Sequence, residues 1–431
     1  MGQTIKVGLM GLGIVGTAFV QALSQYQSDE HLFSEKIIEV KKILVRHPER
    51  HPDIRSRLTT NARDILDDPE ISVVVELMGG MEPARSLILE ALKGGKAVMT
   101  ANKEVVAQAG REIWEASRKA RAAFYFEGAV GAGIPVIQGM RRGLTGNRVQ
   151  SIAGVLNGTT NYILTRMTQE GLGFSEALRE AQHQGYAEAD PTDDIAGYDA
   201  RRKIAILATV GFNTWVSPED IQVDGIAGIT QDDIAYGLSQ GWVLKLIATA
   251  RRQHDTMNIA VRPTFLPHNH PVAHVSGAYN AIWIEAEPVG NVMYYGMGAG
   301  GKPTASAILS DVLQSVRDLN GPYQEFWSIG RHPKLDASGN IRGMSYWRLE
   351  VVDRPGTLAQ VADQLAKHGL SLRSVYQKPL LGGHALLFLV HHKCAEHLWR
   401  TAWTSIAQLP VVEHVGSPVA IWESEQEHSD H

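Results

Sequence analysis

"IKVGLMGLGIVG", residues 5–16, decides the fold. Residues 5–10 read as a buried strand, and Gly11-x-Gly13-x-x-Gly16 follows at once and opens a helical pattern. A lone G-x-G-x-x-G is a weak signal, but here it stands between strand and helix, where it has a physical purpose. Gly11 permits the tight turn, Gly13 lets a pyrophosphate approach the backbone, and Gly16 allows close helix–strand packing. Outward from it, runs at 40–45, 71–77, 96–100 and 122–126 also read as strands, with helical stretches around 14–24, 82–93 and 104–119. Such alternation predicts an α/β domain, a parallel sheet with helices on both faces.

The end of the second strand discriminates between dinucleotides. An NAD site usually places Asp or Glu there for the ribose hydroxyls. This strand ends "LVRHPER", with Arg46 in that place. A guanidinium suits a 2′-phosphate, so NADP is favoured over NAD.

From about residue 148 the pattern changes. Strand-like runs at 148–156, 243–252, 257–263, 281–286 and 292–296 surround a helical block from 160 to 212. They predict a second, α+β domain on a mixed or mostly antiparallel sheet. Residues 303–318 form a helix after a glycine-rich turn, 321–345 read as a linker, and 346–422 read as strand, helix, strand, strand, helix, strand. The expected boundaries are 1–135 (completed by the helix at about 303–320), 136–302, the linker, and 346–425.

At 431 residues the chain is too long for one core. A net charge of −5 gives no general attraction to nucleic acid or anionic membranes. Apolar runs such as Ile204–Val210 fall far short of a bilayer span. The single cysteine, Cys394, rules out an internal disulfide and a multi-cysteine metal site. A cytosolic, cytoplasmic protein is the simplest reading.

Three stretches carry chemistry. "TANKEVVA" sets Lys103 just past the carboxyl end of a strand, where open α/β sheets bind ligands. "EGAVGAGIP", residues 127–135, is a glycine-rich loop that is either a hinge or a ring of carbonyls for a monovalent cation. "GYAEADPTDDIAGYDARRK", residues 185–203, crowds carboxylates and closes on a lysine. As a calcium loop from Asp190 it fails, because Ile195 and Arg201 stand where glycine and glutamate are needed. It is either a solvated acidic face or a catalytic site. Asp199 and Lys203, four apart at a helix start, share one face, as an ordinary ion pair or as an acid and its orienting carboxylate.

With "GVLNGTTNYIL" (154–164) and "GMGAGGKPTASA" (296–307), these motifs resemble the homoserine dehydrogenase family, in its order, over residues 1–320. The resemblance implies a Rossmann domain joined to a catalytic and dimerisation domain, and reduction of L-aspartate 4-semialdehyde to L-homoserine with NAD(P)H. It implies that Lys203 gives the proton to the carbonyl oxygen and that Asp199 orients it. Lys103 would bind the substrate carboxylate or assist proton transfer. Glu188 and Asp194 would meet the α-ammonium group, with Gly158, Thr159 and Tyr186 in the same pocket; Asp190 and Asp193 would contact substrate or only hold the loop. Gly11, Gly13, Ile14, Val15, Gly16, Gly185 and Gly300 would touch the dinucleotide. The carbonyls of Glu127, Val130, Ala132 and Ile134 match a sodium site. Residues 349–375 resemble an ACT domain, a ferredoxin-like βαββαβ module that binds amino acids, for which L-threonine is the candidate effector. A homo-oligomer, dimer or tetramer, is expected. Two rivals remain: another NADP-dependent oxidoreductase of an amino-acid aldehyde, and a non-catalytic amino-acid sensor.

Overall fold

The computed structural model describes residues 4–29, 37–318, 329–330, 334–336 and 342–423. Most of the expected linker, and the polar tail beyond Glu423, lie outside these. The chain divides into two compact units: Met1–Ile152, Arg202–Glu219 and Asn280–Pro333 form one, and Ala153–Arg201, Asp220–Tyr279 and Lys334–His431 the other.

The first unit holds a six-stranded parallel sheet. Its spatial order is Leu58–Thr59, Ile38–Leu44, Ile5–Met10, Ile71–Glu76, Ala97–Thr100, Phe124–Tyr125. The order reverses between Ile5–Met10 and Ile71–Glu76, which is where doubly wound sheets take their ligands. Both strands are buried along nearly their whole length, which is why they read as apolar runs and not as alternating ones. The two-residue strand Leu58–Thr59 escaped the sequence reading, being too short to carry a period. Helix Gly301–Asp318 packs on helix Ile14–Ser28 and so joins the layer of the parallel sheet from far along the chain. The same unit contains the strand Gly290–Met297 and, from Asn280 onward, the strand Tyr279–Glu287, neighbours in a second sheet.

The second unit is built on the hairpin Trp242–Gln253 and Thr256–Pro267. Helices Gly158–Glu170 and Phe174–His183 pack on each other, and the first of them also packs on Trp242–Gln253. The C-terminal module runs strand Arg342–Val352, helix Thr357–Lys367, strands Leu372–Pro379 and His384–His391, helix Glu396–Ile406, strand Val412–Val415. Its strands order as fourth, first, third, second, all antiparallel neighbours, around a core that includes Trp347, Leu349, Val361, Leu387 and Trp399.

This module is no bead on a string. The last strand, Val419–Ile421, pairs with Met344–Tyr346 on one side and with Thr264–Phe265 on the other, so one mixed sheet continues through both. Buried Asp233 accepts hydrogen bonds from Arg348 Nε and Tyr346 Oη, each at 2.9 Å. Glu396 lies between Arg262 and Arg400, and Arg400 also reaches Asp224 at 2.8 Å.

Candidate active site

The glycine turn has the geometry its spacing predicts. Gly11 sits at φ +100°, and a Cβ there would stand 2.6 Å from the carbonyl oxygen of Leu77. A Cβ on Gly16 would collide with the carbonyl oxygen of Gly11, whereas one on Gly13 would meet nothing within 4 Å. The first and third glycines therefore serve packing, and the second leaves room for a ligand. Helix Ile14–Ser28 starts without a side-chain cap, so the N–H groups of its first turn are available to an anion. Ile14 is 82% exposed at that end, and Gly301, beside Gly300, abuts it. Arg46 is exposed two residues past the strand Ile38–Leu44, whose Leu44 pairs with Met10. Its guanidinium has no carboxylate partner among the described residues. The glycine turn and the uncapped helix fit the pyrophosphate of a dinucleotide.

Lys103 is the first residue of helix Lys103–Ala120. A buried polar chain that the sequence reading missed fixes where that helix begins. Glu76, fully buried at the end of its strand, accepts from Met78 N at 2.7 Å and from Thr100 Oγ1 at 2.6 Å. Thr100 Oγ1 accepts from Asn102 N at 2.9 Å; Asn102 caps the helix at Val105 N and donates to the Gly80 carbonyl at 2.7 Å. Burial pushes the Glu76 carboxyl above its ordinary range. Its signal in the sequence was a lone acid near the end of a mostly apolar run, "ISVVVEL".

The loop 127–135 is buried except at Gly133 and Pro135, with Gly131 at φ +71° and Ala132 at φ +54° turning successive peptides. The Ile134 carbonyl already accepts from Val136 N at 2.8 Å. The Glu127 carboxylate takes Ile137 N at 2.9 Å and Gln138 N at 2.7 Å, while Glu127 N donates to Asp311 Oδ2 at 2.8 Å. Burial raises the Glu127 carboxyl to about 7, and burial followed by the facing Glu127 raises Asp311 well above the carboxylate range. Among the described residues no group of three or more His, Cys, Asp or Glu side chains could hold a metal ion.

In the second unit the acidic loop resolves into distinct parts. Thr159 Oγ1 donates to the Tyr186 carbonyl at 2.6 Å, and the Tyr186 ring lies 4.7 Å from that of Tyr162. Gly158 begins the helix beside the Ala278 carbonyl, too close for a Cβ. Gly185 stands exposed at φ +76°. Asp190 caps the short turn Thr192–Ile195 through Thr192 N and Oγ1, at 3.1 and 2.6 Å, and Asp193 is exposed on that turn. The Glu188 carboxylate is exposed and makes no hydrogen bond or ion pair among the described residues, although its carbonyl accepts from Gln182 Nε2. Asp194 and Asp199 are drawn together by Asn157, whose Nδ2 reaches Asp194 Oδ1 at 2.6 Å and Asp199 Oδ2 at 2.9 Å. One helical turn beyond Asp199, on the same face of helix Tyr198–Phe212, stands Lys203; the two are only 2% and 8% exposed. A buried ammonium on one face with a buried carboxylate can both orient itself and release a proton.

A second buried lysine was also missed. Lys245 donates to Asn161 Oδ1 at 3.0 Å and to the Val275 carbonyl at 2.5 Å, and burial lowers its ammonium to about 8. Asn161 in turn donates to the carbonyls of Gly277 and Tyr279, tying helix Gly158–Glu170 to that loop. No helix among the described residues is long and apolar enough to cross a membrane.

Two family models match the chain: "Homoserine dehydrogenase, NAD binding domain" over residues 11–127 and "Homoserine dehydrogenase" over 135–313. The homoserine dehydrogenase of Synechocystis sp. is 41% identical over 433 residues, covering 97% of this chain and all of that protein. A crystal structure of a homoserine dehydrogenase from Thiobacillus denitrificans superposes with a TM-score of 0.91 at 36% identity, over 98% of this chain and 99% of that one. A hyperthermophilic archaeal homoserine dehydrogenase mutant, described as in complex with NADPH, matches 74% of this chain and 99% of its own at 26% identity, with a TM-score of 0.64.

Proposed function

The chain belongs to the homoserine dehydrogenase family, and we propose that it reduces L-aspartate 4-semialdehyde to L-homoserine, reversibly, with NADPH preferred to NADH. The observation that carries this reading is the buried pair Asp199 and Lys203, one turn apart, with Asp194 gathered to the same carboxylate cluster.

The bound nicotinamide supplies the hydride. The chain's own residues do the rest. Lys203 places an ammonium against the aldehyde oxygen, where it stabilises the developing alkoxide and gives up the proton. Asp199 keeps that ammonium oriented. The substrate's α-ammonium needs carboxylates, and Glu188 is exposed and unengaged while Asp194 stands in the cluster. Gly158, Thr159 and Tyr186 shape the pocket around it, and Lys103 takes the α-carboxylate or assists proton movement. Gly11, Gly13, Ile14, Val15 and Gly16 offer backbone to the pyrophosphate; Gly185 and Gly300 let it approach. Arg46 receives the 2′-phosphate, a reading favoured by its lack of a carboxylate partner and by the NADPH complex of the archaeal relative. The carbonyls of Glu127, Val130, Ala132 and Ile134 hold a sodium ion that is structural.

The proposed division of labour is nucleotide binding in 1–135, catalysis and dimerisation in 136–302, and ACT-type regulation in 346–425, with a cytoplasmic homo-oligomer as the working form. The strand Gly290–Met297, with Tyr295 and Met297 exposed, supports association of chains. L-Threonine, formed from homoserine, is the proposed effector, at the turn before helix Thr357–Lys367. There Gly356 adopts φ +90° and leaves space where a Cβ would be. The test is product identification: purified protein given NADPH and L-aspartate 4-semialdehyde should form homoserine, one per NADPH consumed. Absence of homoserine would end the proposal.

A further inference from the structure

Asn157 is 5% exposed and its side-chain amide is fully used. The oxygen accepts from Thr160 N at 2.8 Å and from Thr160 Oγ1 at 3.0 Å, which caps helix Gly158–Glu170. The nitrogen's two hydrogens go to Asp194 Oδ1 and Asp199 Oδ2. Turning the amide over would aim its NH₂ at an N–H donor and its oxygen at two carboxylates, so only one orientation is possible.

We propose that Asn157 is a positioning residue for the reaction: it clamps Asp194 and Asp199 into one acceptor pair, and through Asp199 sets the attitude of Lys203. This rests on the proposed role of Lys203 and Asp199, and adds a residue from a different helix to it. The residue type is informative. A lysine or arginine in this place would neutralise the two carboxylates and compete with the substrate ammonium. An aspartate would cap the helix as well but repel them. An amide is the group that offers two donors and a cap without adding charge, so the negative charge stays available to Lys203 and to the substrate.

Capping alone and clamping make different predictions for the variants. As a cap, serine and aspartate are about as good as asparagine. As a clamp, serine loses most of the donation and aspartate reverses it. The experiment measures kcat and KM for both substrates, with melting temperature, in Asn157→Ser, Asn157→Asp and Asp199→Asn. In Asn157→Ser, kcat/KM for the aldehyde should fall roughly 10- to 100-fold, the effect of losing one or two hydrogen bonds to charged groups. KM for NADPH should stay within about twofold, and melting should move little. Asn157→Asp should be slower still; if it does not fold, the serine variant decides. An Asn157→Ser enzyme within about threefold of the parent, beside an impaired Asp199→Asn, would overturn the clamp alone. An unimpaired Asp199→Asn would overturn the acid-pair reading and the clamp with it.

Discussion

Replacing Lys245 by methionine should change how stability depends on pH, in a direction that follows from its burial. Lys245 is 4% exposed in strand Trp242–Gln253, and its ammonium is lowered from 10.5 to about 8 with desolvation as the cause. Between those two values the unfolded chain binds the proton and the folded chain does not. Stability therefore rises with pH across that window and is lowest, from this group, below pH 8. The full effect is about 2.5 pH units at about 1.4 kcal/mol each, or about 3.4 kcal/mol, of which about 2.5 kcal/mol falls between pH 7 and pH 10. Methionine fills a similar volume with no charge, so Lys245→Met lacks this slope. It also strands the Asn161 Oδ1 and Val275 acceptors, a cost of about 1–3 kcal/mol each that is the same at every pH. Urea unfolding of parent and variant at pH 7, 8.5 and 10 gives the gap between them, in which other titrations cancel. The gap should move by about 2–3 kcal/mol in favour of the parent from pH 7 to pH 10. A gap constant to within about 0.5 kcal/mol would show that Lys245 keeps an ordinary proton affinity, and that burial is not the controlling effect there.

Three further outcomes are expected. Arg46→Ala should raise KM for NADPH about tenfold or more and leave KM for NADH nearly unchanged, since losing a charged contact to the 2′-phosphate costs about 1.5–3 kcal/mol; equal effects on both would place Arg46 away from that phosphate. Asp233→Ala leaves Arg348 buried without its carboxylate, and should cost about 3–5 kcal/mol in urea unfolding; a loss under about 1 kcal/mol would mean the pair does not fasten the C-terminal module. L-Threonine at millimolar concentration should inhibit the full-length enzyme, and Gly356→Val should blunt that inhibition while sparing basal turnover; indifference of the parent to threonine would leave the module without this effector.

What the sequence made legible was local. The turn at Gly11–Gly16 is written in spacing because each glycine answers a contact within a few residues or in the next strand. Lys203 and Asp199 are legible for the same reason, one helical turn fixing their common face. The buried polar partners were not. Glu76, Asn157 and Lys245 each take their meaning from groups brought up by other elements, Thr100, Asp199 and Val275 among them. Only a charge inside an apolar run, as in "WVLKLIATA", marks such a residue beforehand. The continuity of the C-terminal sheet was likewise hidden, because it depends on Val419–Ile421, a strand of three residues with no readable period.

The proposed chemistry has Lys203 as the acid, and one rate decides it: kcat of Lys203→Ala for NADPH-dependent reduction of L-aspartate 4-semialdehyde, with NADPH binding measured on the same preparation. Loss of a positioned acid should lower kcat by roughly 10²–10⁴ while NADPH binding stays intact. A variant that turns over at the parent's rate would make Lys203 merely the cationic half of a helix pair, and the proton would have to come from elsewhere.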